Sequence, residues 1–109
     1  MLPRSQRIQG SDFLEKIKRR GLRKSSPFFG FTYLPADKPQ FAVVVSTRFD
    51  KRAIARNLIR RRTYEALKNN LSLAKKSVSA IITLRSYRKL EQLTYEEIEK
   101  QIKQFLKNL

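Results

Sequence analysis

The spacing of apolar residues changes along the chain, and each change of period marks an element. Phe13, Leu14 and Ile17 fall on one side of a helix. Asp12, with Glu15 three residues on, is spaced as a capping box, and Gly21 stands where a helix C-terminus wants a left-handed residue. Phe28 to Leu34 is aromatic-rich and carries Thr32 and Tyr33, the composition of a strand. After the turn signals of Pro35 to Pro39, the run Phe41 to Val45 is almost continuously apolar, which predicts a second strand paired with the first and buried on both faces. From Arg52 to about Leu71 there is no Gly or Pro, and Ala55, Ile59, Thr63 and Ala66 recur at helical spacing. That is a central helix with one apolar side. Ser77 to Arg85 alternates, with Val78, Ala80, Ile82 and Leu84 facing one way, the period of a half-buried strand. Thr94 and Glu97 form a capping box, and Ile98, Ile102, Phe105 and Leu109 step along one face of a last helix. The order αββαβα predicts an α+β fold, a two-layer α/β sandwich with a small mixed sheet. Its 109 residues, 40% apolar and without internal repeats, fit a single domain spanning 1–109.

Charge decides the class of partner. With 25 Lys and Arg against 9 Asp and Glu, the chain carries +16 and a pI near 10.9, a self-repulsion that a polyanion relieves. Nucleic acid fits better than a membrane, because no run approaches the roughly 20 apolar residues of a span. The Met1 to Gly10 segment is polar and basic rather than a signal peptide, so a cytoplasmic location is expected. The absence of cysteine removes disulfides, thiolate chemistry and Cys-based zinc sites, and the absence of histidine removes the commonest general base.

The positive charge is concentrated. Arg48, Lys51, Arg52, Arg56, Arg60, Arg61 and Arg62 lie within one stretch whose only acid is Asp50. Arg52, Arg56 and Arg60 follow at i,i+4, with Asn57 and Arg61 in the adjacent row, so cations neighbour cations. An ordinary solvated helix face interleaves both signs. Arginine suits RNA because its planar fork grips phosphate oxygens and stacks on exposed bases. A protein nuclease, by contrast, needs an acid/base pair or clustered carboxylates on metal ions. Here Asp12, Glu15, Asp37, Asp50, Glu65 and Glu91 are scattered, and Glu96, Glu97 and Glu99 read as acids complementing a helix dipole. No catalytic or metal-binding side chains are expected.

The run Arg52-Ala53-Ile54-Ala55-Arg56-Asn57-Leu58-Ile59-Arg60-Arg61, preceded by Val45-Ser46 and followed by Glu65-Ala66, closely resembles the signature of the bacterial ribonuclease P protein subunit. Leu2-Pro3 with Arg7, Ser11-Asp12-Phe13, Gly21 and Leu93-Thr94-Tyr95-Glu96-Glu97 resemble the family's terminal stretches. Three positions depart from it. Leu58 and Tyr64 stand where the family has arginines, and Thr47 where lysine is usual. Arg62 is expected to compensate for part of the lost charge.

The resemblance implies a non-catalytic subunit of a ribonucleoprotein endoribonuclease that removes the 5′ leader of precursor tRNA. The active site and its Mg²⁺ ions then belong to the RNA subunit. It implies docking on ribonuclease P RNA through Arg52, Arg56, Asn57, Arg60 and Arg61, with no obligatory protein partner and a left-handed β-α-β crossover. It also implies a cleft between the first helix and the sheet that holds the leader, with Phe13, Ile17, Phe31 and Arg48 lining it. Phenylalanines in such strands are otherwise core residues, and Ile17 stands where the family often has another Phe. The alternatives are a structural RNA-binding protein of the ribosomal type and a DNA-binding architectural protein with its arginine helix in a major groove.

Overall fold

The computed structural model describes residues 11–85 and 89–109, with the side chains of the first helix described from position 14 onward. Helix α1 (Ser11–Arg20) ends on Lys18, Arg19 and Arg20, which suit the negative end of its dipole. Strands β1 (Leu22–Ser25), β2 (Phe29–Pro35) and β3 (Gln40–Val44) lead to the long helix α2 (Ala53–Asn70) and a 3-10 turn at Leu71–Leu73. Strand β4 (Val78–Leu84), a second 3-10 turn at Leu90–Gln92 and helix α3 (Tyr95–Lys107) complete the chain. The expected elements are all present, and β1 is an additional one. Its sequence, Leu-Arg-Lys-Ser, has neither the length nor the apolar content that announces a strand.

The sheet order is β1-β2-β4-β3. Strand β4 pairs antiparallel with β2, Phe31 opposite Ile82, and parallel with β3, Val43 opposite Ile82. The mixed sheet is as expected, but β2 and β3 are not partners: β4 lies between them, and α2 makes the crossover that a parallel pair needs. Double-sided burial, expected for the Phe41 to Val45 run, falls instead on β4. Its alternating residues Val78, Ala80, Ile82 and Leu84 are buried, and so are Ser79 and Ile81 on the other face. In β3, Phe41 and Val43 are buried while Val44 is exposed, the pattern of an edge strand covered on one side.

Phe29, Phe31, Phe41, Val43 and Ile82 form the core with Ile59, Ala66 and Leu67 of α2 and Ile98, Ile102, Phe105 and Leu106 of α3. This is the predicted two-layer core. Helix α1 covers the opposite face of β2 and β4, where Ile17 and Ile81 are buried outside the main core. Its close seat explains Gly21. That residue is not in a left-handed conformation; a Cβ there would lie 2.5 Å from the Ile17 carbonyl oxygen and 2.6 Å from Thr32 Cγ2. Polar groups tie the layers. Gln101 Oε1 accepts from Ser26 Oγ at 2.6 Å and from the Phe28 N–H at 2.8 Å, pinning the β1–β2 turn to α3. Asn70 Nδ2 and the Tyr95 hydroxyl both donate to Glu99 Oε2 at 3.0 Å, joining α2 to α3, and they hold the Glu99 carboxyl below its usual range.

Candidate nucleic-acid interface

Helix α2 buries Ala55, Ile59, Thr63 and Ala66, the stripe its spacing predicted, and also Leu67 and Asn70. The rest of its first three turns is the arginine surface. Arg52 occupies the N-cap position with extended backbone and no side-chain cap, and the first turn contains no acid. The first turn thus adds cations and no acid to the positive end of the helix dipole, the reverse of the usual arrangement, and the nearby carboxylate comes from Asp50 ahead of the helix.

A compact loop before the helix makes this possible. The Asp50 carboxylate accepts from the Arg52 backbone N–H at 2.9 Å and from its guanidinium at 2.8 and 3.1 Å. Those bonds hold the Asp50 pKa down to about 2. Arg56 straps the loop to the helix, donating to the carbonyls of Asp50 at 2.9 Å and Lys51 at 2.8 Å. One turn on, Arg60 donates to Asn57 Oδ1, which orients the amide. Arg61 is exposed, as is Arg48 in the β3–α2 connection. The structure thus brings Arg52, Arg56, Asn57, Arg60 and Arg61 onto one helix, with Arg56 partly occupied in holding its own loop.

Two residues around the departures have structural partners. Arg62 donates to the Leu93 carbonyl at 2.8 Å, so it braces the segment before α3 with one N–H while keeping its charge on the helix. Tyr64 has a structural partner: its hydroxyl accepts from the Val43 N–H of edge strand β3 at 3.1 Å, a group an arginine could not satisfy.

The aromatic cleft also needs revision. Phe31 is 2% exposed and stacks on Phe105 with ring centroids 4.2 Å apart, on the core face and away from α1. Phe29 is also buried, and Ile17 is wholly enclosed between α1 and the sheet. The Phe13 side chain, like Leu2-Pro3 and Arg7, lies outside the described residues. Alternation along β2 explains Phe31, because it shares a face with Phe29 and Tyr33 while Gly30 and Thr32 face the other way. On that other face lies an open groove of about 540 Å³, lined by Arg23, Gly30, Thr32, Thr83 and Arg85; Lys24 and Phe31 also border it, although the Phe31 ring stacks on Phe105 and the Lys24 amine donates to the Asn108 carbonyl at 2.6 Å, both on the core face. A Cβ at Gly30 would meet nothing within 4 Å. The groove is basic and hydroxyl-lined. Its residues were missed because Arg23 enters it through the unforeseen β1.

Comparison with known proteins gives this arrangement a relationship. A family model described as Ribonuclease P matches residues 2–109. The chain belongs to the ribonuclease P protein family. It is similar to the ribonuclease P protein components of Synechococcus elongatus, 35% identical over 72 residues, and of Coprothermobacter proteolyticus, 39% over 67 residues. These alignments cover 61% and 62% of this chain but 59% and 56% of those relatives, so the chain matches less than two thirds of their length. The RNase P protein of Staphylococcus aureus superposes with a TM-score of 0.80 at 21% identity, covering 94% of both chains. That of Thermotoga maritima gives 0.79 at 21% identity, covering 91% of this chain and 92% of its own. At that identity the structures establish a shared fold. Among the described residues, no group of three or more acids could hold a metal ion, and no helix is long and apolar enough to cross a membrane.

Proposed function

We propose that this ribonuclease P family chain is the protein subunit of the ribonucleoprotein. In this reading it binds the catalytic RNA through α2 and supports removal of the 5′ leader from precursor tRNA in the cytoplasm. The observation that carries it is the N-terminal half of α2. Its first turn has no side-chain cap and no acid of its own; the Asp50 carboxylate just before it engages Arg52, which leaves Arg60 and Arg61 as cations without an acidic partner on the helix.

Bond cleavage is assigned to the RNA subunit, where bound Mg²⁺ would supply an activated water and offset developing phosphate charge. The chain contributes cations that lower phosphate repulsion between RNA segments, easing assembly and metal uptake at a distance. The leader is assigned to the groove beside α1. With Phe31 in the core and Lys24 turned to that same face, where it donates to the Asn108 carbonyl, recognition in the groove rests on Arg23 and Arg85 meeting phosphates and on Thr32 and Thr83 hydroxyls, which makes it tolerant of sequence.

Adding the protein to ribonuclease P RNA at low Mg²⁺ and following cleavage of precursor tRNA tests this reading. Stimulation is expected, stronger for a precursor with a long leader than for one with a single leader nucleotide. No stimulation at any Mg²⁺ concentration would overturn it in favour of a structural RNA-binding role.

A further inference from the structure

The arginine surface of α2 has an apolar seam. Ile54, on the first turn, is 84% exposed. Leu58, one turn on, is half-buried, yet it is not among the side chains packed on the core. On a helix whose buried stripe runs through Ala55, Ile59 and Thr63, positions 54 and 58 form a ridge away from that stripe. Asn57 and Arg61 flank the ridge on its outer side, and Lys51 and Arg62 on the other. Scattered exposed apolar residues are ordinary. Here the two sit at i,i+4 within the densest cation field of the chain, where lysine would serve phosphate binding better.

We propose that Ile54 and Leu58 form a seat for an unpaired nucleobase of the RNA on which α2 docks; this rests on the RNA-binding reading above. RNA is the polyanion that also presents flat apolar faces. Its phosphates meet Arg61 and Lys51 while a splayed base lies across Ile54 and Leu58 and removes both from water. The absence of arginine at position 58 is then an exchange of one phosphate contact for base contact, which makes this part of the interface sensitive to the unpairing of the RNA as well as to its charge.

Ile54→Lys and Leu58→Arg test the seat, because each adds positive charge to the surface. If α2 were only a row of cations, both variants would bind ribonuclease P RNA more tightly, with a steeper dependence on salt. With a base seat, Ile54→Lys weakens binding by roughly tenfold, and Leu58→Arg gives no gain. Ile54→Leu keeps the affinity within about twofold. Unchanged circular dichroism and melting of the full-length variants would show that the losses are not unfolding. Tighter binding by Ile54→Lys would overturn the seat while leaving RNA docking intact, whereas a wild-type chain that does not bind this RNA would overturn both. A concentration-dependent dimer in sedimentation, dissolved by Ile54→Lys with RNA affinity rising, would assign the seam to a second copy of the chain and overturn the proposal.

Discussion

Helices α2 and α3 pack against each other and on the same face of the sheet, yet their termini follow opposite rules. Thr94 caps α3, its Oγ1 accepting from the Glu97 N–H at 3.3 Å; Glu96 and Glu97 occupy the first turn and Lys107 the last. Each arrangement stabilises the helix by itself. Helix α2 starts at Arg52 with no side-chain cap and no acid in its first turn. A good cap contributes about 1 kcal/mol and a well-placed first-turn acid about 0.5 kcal/mol, so α2 forgoes both. Its fold depends on burying Ile59, Ala66 and Leu67 and on the Arg56 strap. The difference separates a helix capped and charge-matched at both ends from one whose first turn has neither cap nor acid and depends on the loop before it.

The largest way to break that contrast is to invert charge on each helix equally. Arg60→Glu with Arg61→Glu on α2 removes the same charge as Lys100→Glu with Lys103→Glu on α3. The α2 pair should weaken binding to ribonuclease P RNA on the order of a hundredfold and flatten its salt dependence, while the α3 pair stays within about threefold. Filter binding across a salt series measures both. Equal losses would mean that net charge, rather than α2, drives association.

The arginine row was legible because it needs only helical spacing and the absence of counter-charges, both local properties. So were the Thr94 cap and the core faces of α2 and α3. What failed depended on partners distant in sequence. Whether Phe41 to Val45 or Val78 to Leu84 is covered on both faces is set by strand order, which places β4 centrally and β3 at the edge. Phe31 went wrong for the same reason: alternation puts it on one face, but only the packing of α1 and α3 on opposite sides tells which face is open. Arg62 and Tyr64 read as charge bookkeeping until Leu93 and Val43 appear beside them.

A smaller effect comes from removing the cap that α3 has. Thr94→Ala leaves the Glu97 N–H without its acceptor and should cost about 1 kcal/mol, lowering the melting temperature by about 4 °C. Affinity for RNA should be unchanged. Urea denaturation alongside RNA titration checks both halves, and a matching loss of affinity would show that α3 belongs to the interface after all.

The smallest expected effect is the most diagnostic, because its two readouts move in opposite directions. Arg52→Ser supplies α2 with the cap it lacks and removes a cation from the positive end of its dipole. The Asp50–Arg52 ion pair is lost, but Arg52 is 71% exposed and such surface pairs contribute little. Asp50 can still accept from the backbone N–H of residue 52. The melting temperature should therefore rise by about 1–2 °C while RNA affinity falls about threefold, the signature of a residue kept for binding at the expense of the helix. The opposite result, a less stable protein with unchanged RNA affinity, would mean that arginine stands at position 52 to hold Asp50 and fold the loop. The contrast between α2 and α3 would then be one of folding devices rather than of function.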